Sequence, residues 1–196
     1  MPTFSTNGVD LFYEITGQGF PLVWSHEFAG DYRSWEPQVR FFSRRYQVIA
    51  YCARGYPPSA VPEDPDAYSQ DIAVEDLYLL LRHLGIDQAY LGGLSMGGSV
   101  VLNFGIAHPE MAKALVVASA GSGSADPETF SRNCQETADR LLALGMEALT
   151  QGYAQGPTRV QLLRKDPKGY EEFCQGLASH SALGSASTFR GVQGKR

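Results

Sequence analysis

Val9, Leu11, Tyr13 and Ile15 alternate with Asp10, Phe12 and Glu14, and this period of two predicts a strand that ends at Gly17-Gln18-Gly19. Residues 21–24 (PLVW) are apolar without alternation, the pattern of a strand buried on both faces. Residues 47–51 (QVIAY) and 114–118 (ALVVA) read the same way, and residues 89–92 lead as a strand into a glycine-rich turn. Between these runs the period lengthens to that of a helix. Ser34 is placed to cap a helix from Trp35 to about Ser43, with Pro37 tolerated near its start. Beyond Ser69, Ala73, Leu77, Leu80, Leu81 and Leu84 stripe one helical face, Asp71, Glu75 and Asp76 enrich its first turns, and Gly85 stops it. A further helix is predicted from about Met96 to His108, ahead of Pro109. Pro57, Pro58, Pro62 and Pro65 make residues 54–66 a loop. Strands and helices alternating at these intervals predict an α/β fold, a mostly parallel sheet flanked by helices.

The character changes after residue 120. Gly121-Ser-Gly-Ser-Ala reads as a flexible stretch, and Asp126 is a good N-cap with Pro127 at the first helical position. From there on no run resembles a buried strand. Leucines at 141, 142, 144 and 149, then Val160, Leu162 and Leu163, then Tyr170, Phe173 and Leu177 predict three or four short helices. The expected organisation is a sheet-bearing part over residues 1–122 and a helical part over residues 123–196.

Composition narrows the function classes without selecting one. The net charge is −5, a mild acidic excess that argues against nucleic acid or an anionic membrane as partner. Three scattered cysteines, Cys52, Cys134 and Cys174, form neither a disulfide framework nor a zinc motif. The first residues lack a basic and an apolar region, and no run reaches the roughly 18 apolar residues of a membrane span. The expectation is a cytoplasmic chain with no metal and no cofactor.

Chemistry concentrates at Gly93-Leu94-Ser95-Met96-Gly97. A predicted buried strand enters this segment and an amphipathic helix leaves it, which is the context of a nucleophile elbow. Gly93 and Gly97 are small where strand and helix nearly touch, with further clearance from Gly92 and Gly98. Ser95 would stand exposed at the strand's carboxyl end, and the helix N-terminus would favour negative charge there. Met96 N–H is the first candidate oxyanion donor. The second is expected in the loop after residues 21–24, with Phe28 N–H preferred and Glu27 N–H as alternative. His26 in that loop could act as a base, although a loop-bracing histidine is the more common role. Arg54 could pair with a carboxylate, shape a pocket or simply brace its loop.

Four segments together resemble the α/β-hydrolase superfamily, in particular its bacterial esterase, lactonase and haloperoxidase-like group. They are Leu22-Val-Trp-Ser-His26 with Gly30 and Trp35; Tyr51 with Arg54-Gly55 and Ser59; Gly92-Gly-Leu-Ser-Met-Gly-Gly98; and Asn103 through His108-Pro109. The resemblance covers roughly residues 8–122, an N-terminal portion only. It implies an α/β-hydrolase fold in which residues 126–190 form a helical cap. It departs from the pattern at His26-Glu27, where His-Gly is usual, and at Cys52 and Ala53, where an aspartate is often found.

In that family the triad acid and the histidine base follow two later strands, for which residues 119–196 offer no counterpart. The chain holds four histidines, His26, His83, His108 and His180. His108 would lie about 18 Å along the helix from Ser95. Asp31 and Asp126 are the acids nearest in expectation to the pocket. The resemblance therefore implies the front of a hydrolase of roughly 260–290 residues, with later core strands absent, little activity in residues 1–196 alone, and an exposed sheet edge that invites self-association. The expected activity is serine hydrolysis of a small ester, lactone or related acyl substrate through Ser95. Alternatives are cofactor-free haloperoxidase or C–C bond hydrolase chemistry on the same fold, and a binding or interaction protein that keeps the elbow without catalysis. Epoxide hydrolase and dehalogenase chemistry is disfavoured, because it needs a carboxylate nucleophile at Ser95.

Overall fold

A computed structural model describes residues 2–121, 125–157 and 159–195. The stretch expected to be flexible after Gly121, and the boundary expected at 122/123, fall largely on residues 122–124, outside the described residues. Six strands form one sheet: β1 (Thr3–Thr6), β2 (Val9–Thr16), β3 (Phe20–Ser25), β4 (Tyr46–Tyr51), β5 (Ala89–Leu94) and β6 (Ala112–Ala118). Their spatial order is β1-β2-β4-β3-β5-β6. β1 and β2 pair antiparallel, β2 and β4 pair antiparallel, and β4, β3, β5 and β6 run parallel.

β1 is absent from the sequence reading because four residues with a single large apolar side chain, Phe4, carry no readable period. What makes the strand is the turn after it. Asn7 (φ 48°) and Gly8 (φ 76°) supply the two left-handed positions of a tight hairpin.

Three helices flank the sheet: α1 (Glu36–Phe42), α2 (Gln70–His83) and α3 (Met96–Ala107). On one face Val74, Leu77, Leu80 and Leu81 of α2 and Val101 and Phe104 of α3 pack on Leu11, Val23, Ile49 and Leu91. On the other, Leu22, Trp24 and Val48 meet Trp35 and the Val39 and Phe42 side chains of α1. The Trp24 and Trp35 rings stack with centroids 4.4 Å apart. Successive residues of β3 and β4 thus serve opposite cores, which is why neither strand alternates with polar residues.

Ser34 does not cap α1. A 3-10 turn over Tyr32–Trp35 precedes the helix, and its cap is Asp31, whose carboxylate accepts from Arg33 N–H at 2.8 Å while Ser34 Oγ accepts from Asp31 N–H at 3.3 Å. Asp31 offers a charged acceptor three residues earlier, and Ser34 becomes the reciprocal partner of a capping box. β6 also departs from expectation. Its apolar run predicts burial on both faces, yet it is the edge strand of the described sheet and Val116 is 55% exposed.

After β6 the described chain is helical: α4 (Pro127–Leu144), α5 (Glu147–Thr150), α6 (Val160–Lys165), α7 (Pro167–Ser179) and α8 (Ala182–Thr188), then a π-helical turn over Phe189–Gln193. These helices form a cap. Ala138, Leu141, Leu177 and Val192 bury against Phe12, Phe28, Tyr56 and Met96 of the sheet-bearing part. Backbone meets backbone at the seam: a Cβ on Gly184 would lie 2.0 Å from Gly55 O, and one on Gly191 2.0 Å from Tyr68 O. No described helix is long and apolar enough to cross a membrane.

Candidate active site

Strand order places the site before any side chain is considered. From β3 the chain crosses to β4 on one side, then returns so that β5 lies on the other side of β3. Open parallel sheets bind ligands at such a switch point, outside the carboxyl ends of the strands. Ser25, the last residue of β3, pairs with Gly93 of β5. The loops after both strands therefore open side by side.

Ser95 follows β5 and is the N-cap of α3, with φ 53° and ψ −111°. Its N–H donates to Ala118 O at 2.8 Å, which ties the elbow to the end of β6. Its Oγ has no hydrogen-bond partner among the described residues, and the residue is partly exposed. The flanking glycines are steric requirements. A Cβ on Gly93 would sit 2.2 Å from Gly97 O, and one on Gly97 2.1 Å from Ser25 O and 2.6 Å from His26 O. The same closeness presses the N-terminus of α3 against the start of the loop after β3. Met96, the first residue of α3, has no carbonyl one turn back to bond its N–H.

The loop after β3 turns tightly. Gly30 N–H donates to Glu27 O at 3.1 Å, and Ala29 takes a left-handed φ of 54°. The Phe28 side chain lies in the same buried cluster as Met96, and its ring packs on Phe189 of the cap with centroids 4.1 Å apart. His26 is fully buried, and burial pushes its pKa down. Its Nδ1 is 2.7 Å from Glu27 O, and its Nε2 accepts from Ala53 N–H at 3.0 Å. These partners assign the proton to Nδ1 and leave neither nitrogen free for proton transfer. His26 pins the loop after β3 to the loop after β4. Burial pushes the Glu27 carboxyl up, in spite of the hydrogen bond that Ser34 Oγ donates to it at 3.2 Å.

Arg54 is committed to a buried ion pair. Its Nε and Nη2 donate to Asp76 Oδ2 and Oδ1 at 2.7 and 2.6 Å, and its Nη1 donates to Ala67 O at 2.8 Å. The pair clamps the loop after β4 to α2. Asp76 is thus a buried partner rather than an exposed first-turn acid. Asp126 is exposed and caps α4, and the bond from Thr129 N–H holds its carboxyl below the usual range. Burial would raise Asp31, but hydrogen bonds from Arg33 outweigh it and hold the carboxyl low.

The remaining histidines separate by location. His83 stacks on Phe4 and His108 on Tyr78, at centroid distances of 5.3 and 4.3 Å. His180 enters from the cap and meets Tyr56 edge-on at 5.7 Å, with burial lowering its pKa and Asp31 opposing that shift. Tyr56, fully buried between His26, Phe28 and His180, is the centre of this seam. The sequence singles out neither residue, because nothing local marks a tyrosine or histidine that a distant helix will cover. Cys52 is sealed, its thiol pushed up to about 12 by burial. Among the described residues no group of His, Cys, Asp or Glu side chains converges as metal ligands would.

The chain is 36% identical over 115 residues to epoxide hydrolase 2 of Siraitia grosvenorii, covering 58% of this chain and 36% of that protein. It is 29% identical over 188 residues to 3-oxoadipate enol-lactonase 2 of Acinetobacter baylyi, covering 94% of this chain and 68% of that one. A thermophilic esterase from Thermogutta terrifontis superposes with a TM-score of 0.87 at 26% identity, over 99% of this chain and 71% of the esterase. The chain spans about half the length, 54%, of another curated relative, from Azorhizobium caulinodans. These similarities correct the expectation of a likeness limited to an N-terminal portion. They continue through the cap, where amphipathic helices keep their arrangement without any motif for the eye to follow. The sequence profile described as "alpha/beta hydrolase fold" matches residues 21–191, from β3 through the last helical turn, and the chain belongs to that family.

Proposed function

We propose that the chain serves acyl transfer to water, with Ser95 as the nucleophile toward a small ester, lactone or related acyl substrate. One observation carries the reading: Ser95 holds a left-handed backbone at the carboxyl end of β5, its Oγ without a hydrogen bond among the described residues and α3 beginning directly behind it. In this proposal Oγ attacks the substrate carbonyl as its proton passes to a base. The C–O bond to the leaving group breaks, and water then releases the acid from the acyl-serine. Met96 N–H and Phe28 N–H hold the oxyanion, and Gly93 and Gly97 let strand and helix approach closely enough to aim it. Each such donor is worth about 100- to 1,000-fold in rate. A carboxylate-nucleophile reaction of the epoxide hydrolase kind does not fit, since a serine stands at the elbow.

None of the four histidines is hydrogen-bonded to Ser95 Oγ among the described residues, so activation of the hydroxyl is the step to test directly, and labelling or hydrolysis by this chain would also overturn the expectation of little activity in residues 1–196 alone. A fluorophosphonate probe should add its mass to the peptide that contains Ser95, and Ser95→Ala should lose the label. Hydrolysis of p-nitrophenyl butyrate should fall to background in the same variant. A folded protein that neither labels nor hydrolyses would overturn the proposal in favour of a binding protein that keeps the elbow.

A further inference from the structure

We propose that the cap contains a second ligand site, an apolar pocket that takes an amphipathic monocarboxylate. The cavity measures about 420 Å³, inside the range of roughly 300–1,000 Å³ typical of small-molecule sites. Its walls come from Phe130 and Leu141 of α4, Leu149 of α5 and Phe189 of the π-helical turn. The Phe189 ring, packed on Phe28, lies between it and the loop after β3, and Ser95 is not among its lining residues. The site is distinct from the elbow and does not rest on the hydrolytic proposal.

Charge decides the class of ligand. Among the described residues Arg140 is the one charged side chain that lines the pocket, and no carboxylate among them lines it. Arg140 forms no ion pair among the described residues, whereas Arg190 nearby is paired with Asp139. A free guanidinium at the rim of an apolar cavity complements a ligand with one anionic head and a hydrocarbon body. The head gains charge-assisted hydrogen bonds from the planar guanidinium, and the body leaves water for the walls. A neutral amphiphile gains only the second contribution, and a cationic one is repelled.

Isothermal titration calorimetry of the purified chain with octanoate, 1-octanol and octylammonium tests this. Octanoate should bind about tenfold or more tightly than 1-octanol, and octylammonium more weakly than either. Arg140→Gln, at an exposed position, should bring octanoate down to the level of 1-octanol. Ala148→Trp, which fills the cavity from α5, should abolish binding of both with an unchanged circular dichroism spectrum. Octanoate that binds no better than 1-octanol, or that binds Arg140→Gln as well as the parent, overturns the proposal. Fluorophosphonate labelling of the same preparations reads the Ser95 proposal separately, so the two can fail independently.

Discussion

Ser95 pays for its position in backbone strain. A side chain at φ 53° and ψ −111° costs roughly 1–3 kcal/mol, which glycine would largely avoid. Ser95→Gly should therefore raise the free energy of urea unfolding by about 1 kcal/mol while removing fluorophosphonate labelling. A variant less stable than the parent would show that the elbow carries no such strain. Glu27 gives a second test at this scale, through pH. Its folded pKa lies above its ordinary value of 4.5 because burial disfavours the charged form. A raised carboxyl gives stability that is present below pH 4.5 and is lost as pH rises through the folded value. Glu27→Gln, which cannot ionise, should match the parent in thermal midpoint at low pH and exceed it increasingly toward neutrality. A constant difference across the range would place the effect elsewhere than in ionisation.

Single elements are held by contacts that join distant parts of the chain. The Arg54–Asp76 pair spans 22 positions and fastens the loop after β4 to α2. Asp76→Ala would leave a buried, uncompensated guanidinium and should cost about 3–5 kcal/mol in chemical denaturation. Replacing both partners, Arg54→Met with Asp76→Leu, should recover most of that loss. If the double variant is as unstable as the single one, the pair contributes by shape rather than by charge. This clamp also marks the limit of reading elements locally. The stripe on α2, its onset after Ser69 and its stop at Gly85 are visible in sequence, because period and helix stops act within a turn or two. Which of its acids turns inward is not visible, since that depends on where Arg54 arrives from another loop. Ser34 and Asp31 make the same point at shorter range: both are cap residues by type, and the 3-10 turn before α1 decided between them.

At the scale of the whole molecule, the described sheet ends on an apolar edge. Val116 and Val117 of β6 are exposed, as are Leu102 and Ile106 of α3 beside it, Ile106 to 73%. Flat apolar edges template strand pairing, and a lysine there opposes it. Val116→Lys should therefore lower the weight-average mass measured by sedimentation equilibrium, if the parent self-associates through this edge. An unchanged mass in an associating parent would assign the contact to another surface. The sequence by itself determined the order of strands and helices from β2 to β6, the strand–turn–helix around Ser95 and the helix start at Asp126, whereas its three or four short helices after that point became, among the described residues, five, one of 18 residues, and a π-helical turn. The features it determined follow from side-chain period, capping and the steric needs of Gly93 and Gly97, all of which act over a few residues. Only the tertiary structure decided that His26 Nε2 is engaged by Ala53 N–H, that β6 faces solvent, that Tyr56 and His180 close the seam beside Phe28, and that the cap forms an open pocket lined by Arg140. Each depends on groups tens to more than a hundred positions apart, brought together by strand order and helix packing rather than by neighbouring residues.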